Sequence, residues 1–274
     1  MTNEEVYQIG ESPMMLLIDV GNTQTVIGVT DNSSKIGEYV AKWRISTNKS
    51  ATSDDILSIL APLFDNSRIA LDDVERAAIC SVVPRLESSW SDCVRGRTGV
   101  ETVRCTASAA VDAGLLGFDY PNPEEIGADR VADAIAAKHL HGSPVVVVDF
   151  GTATNMEVID ERGIFIGGII APGIMTSSEA LFSNASKIQP TSFAVPERPI
   201  GRSTQEAVGS GVILGQVSMV DGLLARVFDQ LGRKARTIGT GGLVGTVGSL
   251  CENITEICPD LTIDGLRILL DHIR

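Results

Sequence analysis

Apolar and polar positions along the chain form two similar series of predicted elements. In the first series, the apolar runs predict a helix over about 54–64 and strands at 14–19, 25–30, 38–45, 77–83 and 100–105. In the second series, they predict helices near 174–184 and 204–231, a C-terminal helix from about Leu261, and strands near 144–149, 153–160 and 164–171. Three strands followed by alternating helices and strands are typical of α/β domains with mixed sheets.

An alanine-rich segment lies between the two series. Ala128–His141 predicts a helix that stops before Gly142 and Pro144. We therefore predict an N-terminal extension, a first domain and a second domain over residues 1–13, 14–127 and 128–274. The extension is polar and acidic and lacks the apolar stretch of a secretory signal.

One local pattern occurs in both series: an apolar strand ends in Asp, and Gly follows two residues later. The first copy, Met15–Thr23, contains Asp19, and the second, Val145–Thr154, contains Asp149. Each copy runs into another apolar segment and so predicts a β-hairpin with a polar tip. An ordinary turn explains one copy, because Asp, Gly and Asn are common turn residues. Two copies favour a nucleotide site between two like domains, because Gly lets a phosphate approach backbone N–H groups and Asp can hold a hydrated cation.

The composition narrows the possible partners of the 274-residue chain. A net charge of −13 argues against nucleic acid, and a bound polyanion such as ATP would need cations or aligned backbone dipoles. The five cysteines include no Cys-x-x-Cys pair and fit reduced thiols in the cytoplasm. The sequence has no run of about 18 apolar residues, so no membrane span is expected.

The segment around Asp129 has two interpretations. Asp in the first turn of a helix is favourable for the helix dipole alone, and for an isolated motif this is the simpler explanation. Alternatively, Asp129 is a general base, because phosphoryl transfer to an alcohol needs a carboxylate that accepts the hydroxyl proton. The adjacent Arg130 could then bind a substrate carboxylate in a bidentate manner.

Two further segments fit a ligand site less specifically. Ser203 and Glu206 match a capping box, which places Thr204 in the first turn of a helix with its hydroxyl free to face a ligand. Gly239–Gly242 follows an apolar strand, and a simple loop explains it as well as a ligand-binding turn does. The histidines lie outside all these segments and the cysteines lack metal-ligand spacing, so histidine catalysis and zinc binding have little support. The loop after Asp19 also lacks the Gly-Lys-Ser/Thr ending of a P-loop.

Taken in order, these segments resemble the type III pantothenate kinases of the acetate kinase, sugar kinase, Hsp70 and actin superfamily. The similarity covers nearly the whole chain from Met14 and rests on the ordered combination of motifs. In the first half the matching residues are Asp19–Thr23, Trp43-Arg44, Thr52–Asp55, Ser81–Pro84, Tyr120, Asn122-Pro123 and Gly127–Arg130. In the second half they are Asp149–Thr154, Gly167-Gly168, Pro172-Gly173, Ala180–Phe182, Gly201, Thr204, Gly241-Gly242, Leu261-Thr262 and Gly265-Leu266.

The resemblance implies a duplicated ribonuclease-H-like fold and ATP-dependent phosphorylation of the primary hydroxyl of pantothenate, the first step of coenzyme A biosynthesis. It implies ATP and Mg²⁺ in the cleft between the domains, a monovalent cation (K⁺ or NH₄⁺) at Asp149, and a homodimer with pantothenate near the subunit interface. The residues implied to contact ATP are Asp19, Val20, Gly21, Asn22, Thr23, Gln24, Thr25, Val26 and Thr152. The residues implied to contact pantothenate are Tyr120, Gly127, Ala128, Asp129, Arg130 and Thr204, with Asp129 as the proton acceptor.

The chain departs from the family pattern in its second half. Arg202 and Ser203 stand where Lys and Asn are common, Asn155 replaces a usual Thr, and Val208–Gly211 replaces Met-Gln-Ser-Gly. Two other functions therefore remain open. One is a non-catalytic regulator on the same scaffold, against which the retained Asp and Thr residues argue. The other is a kinase of the same superfamily that acts on a sugar or a carboxylate.

Overall fold

Two mixed β-sheets form the framework of the protein, seen in a computed structural model that describes residues 13–185, 188 and 194–273. Apart from residue 13, the predicted N-terminal extension lies outside the described residues. The first sheet contains β1 (Met14–Val20), β2 (Gln24–Asp31), β3 (Ala41–Ser46), β4 (Val74–Ser81) and β5 (Thr102–Arg104). The second contains β6 (Gly117–Phe118), β7 (Val145–Phe150), β8 (Ala153–Ile159), β9 (Ile164–Pro172), β10 (Arg236–Thr240) and β11 (Glu256–Ile257).

The two sheets repeat one topology. Their strand orders are β3-β2-β1-β4-β5 and β11-β10-β7-β8-β9-β6. In each sheet an antiparallel triplet (β1–β3 or β7–β9) is continued by two strands parallel to the first strand of that triplet. The second sheet gains β6, which comes from the end of the first series and pairs with β9. The repeat confirms the mixed α/β character that the hydrophobic pattern predicts, while the division at residues 127 and 128 stays a prediction.

Nine α-helices occur among the described residues. They are α1 (Ser53–Asn66), α2 (Pro84–Thr98), α3 (Ala107–Asp112), α4 (Ala128–His141), α5 (Ile174–Asn184), α6 (Thr204–Gly209), α7 (Gly215–Leu231), α8 (Val244–Val247) and α9 (Leu261–His272). A π-helical turn, Ser210–Leu214, joins α6 to α7, so the predicted 204–231 helix is one continuous helical run with a bulge.

Helix α2 is absent from the sequence-based prediction, in which Pro84 only closes a strand. In the structure Pro84 is the first residue of the helix, where its missing N–H costs nothing. The buried residues Leu86, Trp90, Cys93 and Val94 have helical spacing. Charged and hydroxyl residues between them make the segment predominantly polar and mask this signal.

Three apolar clusters hold the sheets and helices together. The side chains of β1 alternate, so Leu16 and Ile18 face an outer core with α1 and α2, whereas Met15 and Leu17 face a central core. In the same way, alternate valines of β7 face the central core and an outer core with α7. Helices α4 and α9 belong to the central core. This shared core brings the carboxyl ends of β1 and β7 to the same region.

The helical run Thr204–Leu231 has a window of mean hydropathy 1.5 and by length and composition alone could cross a membrane. Core helices of water-soluble domains pass the same test. One face of this run packs in an outer core through Val220 and Leu224, and Gln216 donates a buried hydrogen bond to the hydroxyl of Thr154 at 2.6 Å. These contacts identify it as a helix that packs on the second sheet.

Candidate active site

A cleft of about 550 Å³ lies where the ends of β1 and β7 meet. It is bordered by both hairpin tips, the first turn of α4, the turn after β10, and the starts of α5 and α9. Of the predicted site residues, those that line the cleft are Asp19, Gly21, Asn22, Thr23, Gln24, Val26, Asp129, Asp149 and Thr152. The repeated pattern and the Asp129 segment therefore converge on one cavity.

The two predicted hairpins are both present. In the first, Asp19 pairs with Val26 across the strands, and in the second Asp149 pairs with Asn155. The Gly21 N–H donates to the carbonyl of Gln24 at 3.0 Å, and the Gly151 N–H donates to the carbonyl of Ala153 at 3.0 Å.

The tips of the two hairpins touch each other. The hydroxyls of Thr23 and Thr152 are 3.2 Å apart, although 129 residues separate them in the chain. A ligand in the cleft therefore meets both tips.

Two cationic side chains border the first tip. Arg44 donates to the side-chain oxygen of Gln24 at 2.9 Å, and Lys49 donates to that of Asn22 at 3.3 Å. Val20 and Thr25, also predicted to contact a ligand, are buried in the strands and do not line the cleft. They support the hairpin from within.

Five carboxylates line the cleft, and three of them, Asp19, Asp129 and Asp149, have a raised pKa. Burial raises the pKa of Asp19 to about 7, with a further contribution from the charge of Asp129. Burial also raises the pKa of Asp129. The pKa of Asp149 is raised well above its usual range by burial and by the charges of Glu157, Asp129 and Asp19. Arg44 is the one Lys or Arg side chain among the described residues that line the cleft, so this carboxylate group favours bound cations.

Asp129 occupies the second position of α4, and its side chain folds back over the helix start. Its Oδ1 accepts a hydrogen bond from the backbone N–H of Arg130 at 2.8 Å. Gly127 is the N-cap, and a Cβ there would lie 2.6 Å from this oxygen. The backbone at Gly127 therefore lies close against this carboxylate.

Arg130 points away from Asp129 and binds the second sheet. Its Nε donates to Glu157 Oε1 at 2.7 Å, and Glu157 is fully buried in β8. The guanidinium carbon lies 5.9 Å from the ring centroid of Phe165, and Tyr120 packs edge-on against the same ring at 6.2 Å. Tyr120 and Arg130 thus form one group next to Asp129, although neither lines the cleft itself.

Glu157 and Asp133 are buried acidic residues that the motif analysis does not identify. Burial raises the pKa of Glu157 to about 7, even though Arg130 acts to lower it. Asp133 Oδ1 accepts from the hydroxyl of Thr262 at 2.7 Å, which ties α4 to α9. The sequence could have pointed to Glu157, because a carboxylate within a mostly apolar strand is unusual and is expected to have a partner.

Thr204 belongs to α6, an element that does not border the cleft. It is exposed at the start of α6 and does not line the cleft. Ser203 caps this helix by accepting from the N–H of Glu206 at 3.2 Å, while the Glu206 carboxylate accepts from the N–H of Arg202 at 2.7 Å. The Ser203 side chain therefore makes its capping-box hydrogen bond as predicted. The Glu206 carboxylate instead accepts from the N–H of Arg202, one residue before the expected N–H of Ser203.

The glycine-rich turn after β10 closes the cleft beneath Asp149. Thr240, Gly241, Gly242 and Leu243 all line it. Gly241 has a φ of +93°, and a Cβ there would lie 2.1 Å from Asp149 Oδ1. This close approach requires glycine.

The chain is similar in sequence to proteins of one family. The model of the family described as type III pantothenate kinase matches residues 15–226. A protein named type III pantothenate kinase from Desulfosudis oleivorans is 39% identical over 259 residues, which cover 93% of this chain and 98% of that protein. One of the same name from Halalkalibacterium halodurans is 38% identical over 256 residues, with coverages of 93% and 98%.

Solved structures show the same fold at low sequence identity. The activator of 2-hydroxyisocaproyl-CoA dehydratase from Clostridium difficile, with bound ADPNP, matches with a TM-score of 0.51 and 11% identity, covering 94% of each chain. The ethanolamine utilization protein EutJ from Carboxydothermus hydrogenoformans matches with a TM-score of 0.51 and 16% identity, covering 94% of this chain and 90% of that one. These neighbours confirm the predicted architecture of two tandem ribonuclease-H-like domains of the actin-like type.

Proposed function

The chain belongs to the type III pantothenate kinase family, and on this premise we propose how its residues bind the substrates and transfer the phosphate. The enzyme phosphorylates pantothenate with ATP to give 4'-phosphopantothenate, the first step of coenzyme A biosynthesis.

Asp129 is the general base. The observation that carries this assignment is its position in the cleft, next to both hairpin tips and to the Arg130 group. Its carboxylate accepts the proton of the pantothenate hydroxyl while the hydroxyl oxygen bonds to the γ-phosphorus. The bond between that phosphorus and the bridging oxygen breaks, and ADP leaves with the bond electrons. A pKa raised by burial makes Asp129 a stronger proton acceptor than a surface carboxylate.

ATP binds across the two hairpin tips. The first tip, residues 21–24, and Thr152 meet the phosphates, with Arg44 and Lys49 beside them to offset their charge. Val20 and Thr25 position the tip, because both side chains are buried behind it.

The residues around Asp149 fit a monovalent cation. Asn155 is opposite Asp149 in the hairpin, and its buried side-chain oxygen has no hydrogen-bond partner among the described residues. A carboxylate and a free amide oxygen on one face are hard oxygen donors suited to K⁺ or NH₄⁺. Asp19, at the corresponding position of the first hairpin, would hold Mg²⁺. When bound, these cations neutralise charge on the phosphates in a cleft with few basic side chains.

Pantothenate binds on the Arg130 side of Asp129. Arg130, oriented by Glu157, binds its carboxylate, while Tyr120, Gly127 and Ala128 line the approach. Thr204, which is exposed and does not line the cleft of its own chain, would contact pantothenate bound to a second subunit.

Exposed apolar side chains in the second half of the chain are consistent with a homodimer. Ile200 and Ile170 are 80% and 67% exposed, and Met175 is half exposed. The outer face of α6, the π turn and α7 carries small residues, Ala207, Gly211, Gly215, Ser218 and Gly222, which allow close helix packing.

The cytoplasm is the proposed compartment, with neither nucleic acid nor membrane as a partner. All five cysteines are unpaired, which fits a reducing environment. The net charge of −13 opposes nucleic acid binding.

The decisive experiment measures ADP formation by the purified protein with pantothenate, a sugar, a simple carboxylate, or no acceptor. We expect turnover with pantothenate only, and K⁺ should support it where Na⁺ does not. Asp129→Asn should keep the fold and ATP binding and lose about 10²–10⁴-fold in kcat. Asp54→Asn is the matched control, because Asp54 is the second residue of α1 as Asp129 is of α4 and lies outside the cleft. If Asp129→Asn behaves like Asp54→Asn, Asp129 serves only the helix dipole.

A further inference from the structure

Three side chains that are distant in sequence meet at the far end of α4 from Asp129. They are His141, the last residue of α4, and Glu256 and Cys258, in and just after the edge strand β11. Their ligand atoms all lie within 4.8 Å of one another. Cys258 Sγ is 3.8 Å from His141 Nε2 and 4.0 Å from Glu256 Oε1. This is the one such cluster of His, Cys and acidic residues found among the described residues.

The backbone explains why these side chains converge. Glu256 and Cys258 are two residues apart in extended chain, so their side chains share a face. The Cys258 N–H donates to the carbonyl of Gly239 at 2.8 Å, which fixes the strand end against β10. The C-terminus of α4 carries the negative end of the helix dipole, which favours a cation at His141.

We propose that His141, Glu256 and Cys258 bind a thiophilic divalent cation, with zinc the best fit. Thiolate, imidazole and carboxylate are all zinc ligands, and three protein ligands plus one water complete a tetrahedral site. Ligand atoms in such a site lie about 3.3–3.6 Å apart. The separations of Cys258 Sγ from His141 Nε2 and from Glu256 Oε1 need to shorten by only a few tenths of an ångström. Glu256 Oε2 lies 3.3 Å from His141 Nδ1, the other ring nitrogen, so the Glu256 side chain, which is 47% exposed, has to turn toward Nε2 when the metal binds.

Cation binding releases the Cys258 thiol proton to solvent, and the thiolate then bonds to the metal. The electrostatic environment of the site is mixed. The negative charges of Asp264 and Glu256 affect Cys258, whereas the positive charge of Arg236 affects His141. Pro259 and Asp260, which follow Cys258 directly, line the active-site cleft. A metal here would tie the edge strand to α4 and hold this wall of the cleft. Sequence spacing cannot reveal the site, since only the fold brings positions 141, 256 and 258 together.

Cobalt titration tests the proposal on the full chain, purified without a histidine tag and freed of metal with a chelator. A thiolate-to-cobalt charge-transfer band should appear, saturate at one Co²⁺ per chain, and disappear on adding Zn²⁺. Carboxylates in the active-site cleft can bind Co²⁺ but give no such band. The readout is therefore independent of kinase activity.

Variants decide which side chains are responsible. Cys258→Ser should abolish the band, and His141→Gln and Glu256→Gln should each weaken Co²⁺ binding at least tenfold. His139→Gln is the matched control, because His139 is on the same helix near its end but pairs with His272. Zn²⁺ should raise the melting temperature of the wild type and of His139→Gln more than that of Cys258→Ser, His141→Gln or Glu256→Gln. No band in the wild type, or a band that survives Cys258→Ser, would overturn the proposal. Glu256→Gln changes an exposed side chain and so remains informative if Cys258→Ser folds poorly.

Discussion

The two hairpin tips share a backbone design but differ in what surrounds the Asp at the end of the first strand. In the first sheet, Asp19 is flanked by Val26 and by Cys80, whose thiol donates to Asp19 Oδ1 at 3.3 Å. In the second, Asp149 is flanked by Asn155 and Thr240. One carboxylate thus lies beside a methyl group and a thiol, and the other beside an amide and a hydroxyl.

From this difference we propose separate roles for the two copies of the duplicated element. The hard oxygen donors around Asp149 suit a cation held directly by the protein. Asp19 has few protein oxygens beside it, which suits a hydrated Mg²⁺ that keeps most of its water and phosphate ligands. The loops differ too, since three residues join β1 to β2 and two residues join β7 to β8.

The test with the largest expected effect removes the negative charge of Asp149 or of Asp19. Asp149→Asn should lower kcat/KM by roughly 10²–10³-fold, the size expected when one partner of a buried charge pair is lost. The remaining activity should no longer distinguish K⁺ from Na⁺. Asp19→Asn should instead raise the Mg²⁺ requirement and keep the K⁺ dependence. Equal responses of both variants to K⁺ in steady-state assays would contradict separate roles for the two tips.

The second test uses the pKa of Asp19, raised from 3.8 to about 7. Between pH 3.8 and about pH 7, Asp19 is deprotonated in the unfolded chain but still protonated in the folded chain. Stability of the ligand-free protein therefore falls as pH rises through this window, and the loss is complete above the folded pKa. Asp19→Asn stays neutral and avoids the loss. It should melt like the wild type near pH 4 and be more stable by about 1–2 kcal/mol at pH 8, since solvent at the partly exposed carboxyl reduces the full effect of about 1.36 kcal/mol per pKa unit.

Thermal melts of both proteins across this pH range provide the measurement. Asp54→Asn is again the control, because Asp54 is exposed on α1 and lies outside the cleft. A constant difference between Asp19→Asn and the wild type would show that Asp19 is charged in the free enzyme.

Local patterns predict the hairpins, the Asp positions and α4 with its ends, because each depends on neighbours within a few residues. The Arg130–Glu157 pair depends on packing of α4 against β8, which no spacing encodes. The sequence shows that Asn155 differs from the usual Thr of the family. Its proposed role as a cation ligand depends on the strand register, which places its unpaired side-chain oxygen opposite Asp149. The absence of Thr204 from the cleft lining likewise depends on tertiary structure.

The third test removes the amide oxygen and keeps the carboxylate. Asn155→Leu should raise the K⁺ concentration for half-maximal activity about five- to tenfold, because a hydrogen-bond-sized contribution of about 1 kcal/mol is lost. The maximal rate at saturating K⁺ should change little. Val26→Ala, at the equivalent position of the first hairpin, is the matched control and should leave the K⁺ response unchanged. If Asn155→Leu also leaves it unchanged, Asn155 is not a ligand of the cation.

The smallest effect concerns the contact between the tips themselves. The Thr23 and Thr152 hydroxyls form an exposed hydrogen bond at 3.2 Å, so its net free energy is below about 1 kcal/mol. Thr23→Val, Thr152→Val and the double variant form a cycle that measures the coupling in KM for ATP. We expect a coupling of less than about fivefold in KM for ATP and none in KM for pantothenate, because both tips meet the phosphates and neither meets the Arg130 group. Coupling of zero for ATP would mean that the tips bind the nucleotide independently. Coupling that appeared in KM for pantothenate would mean that the tips also shape the acceptor side of the cleft, and the division between the two sides would then have to be redrawn.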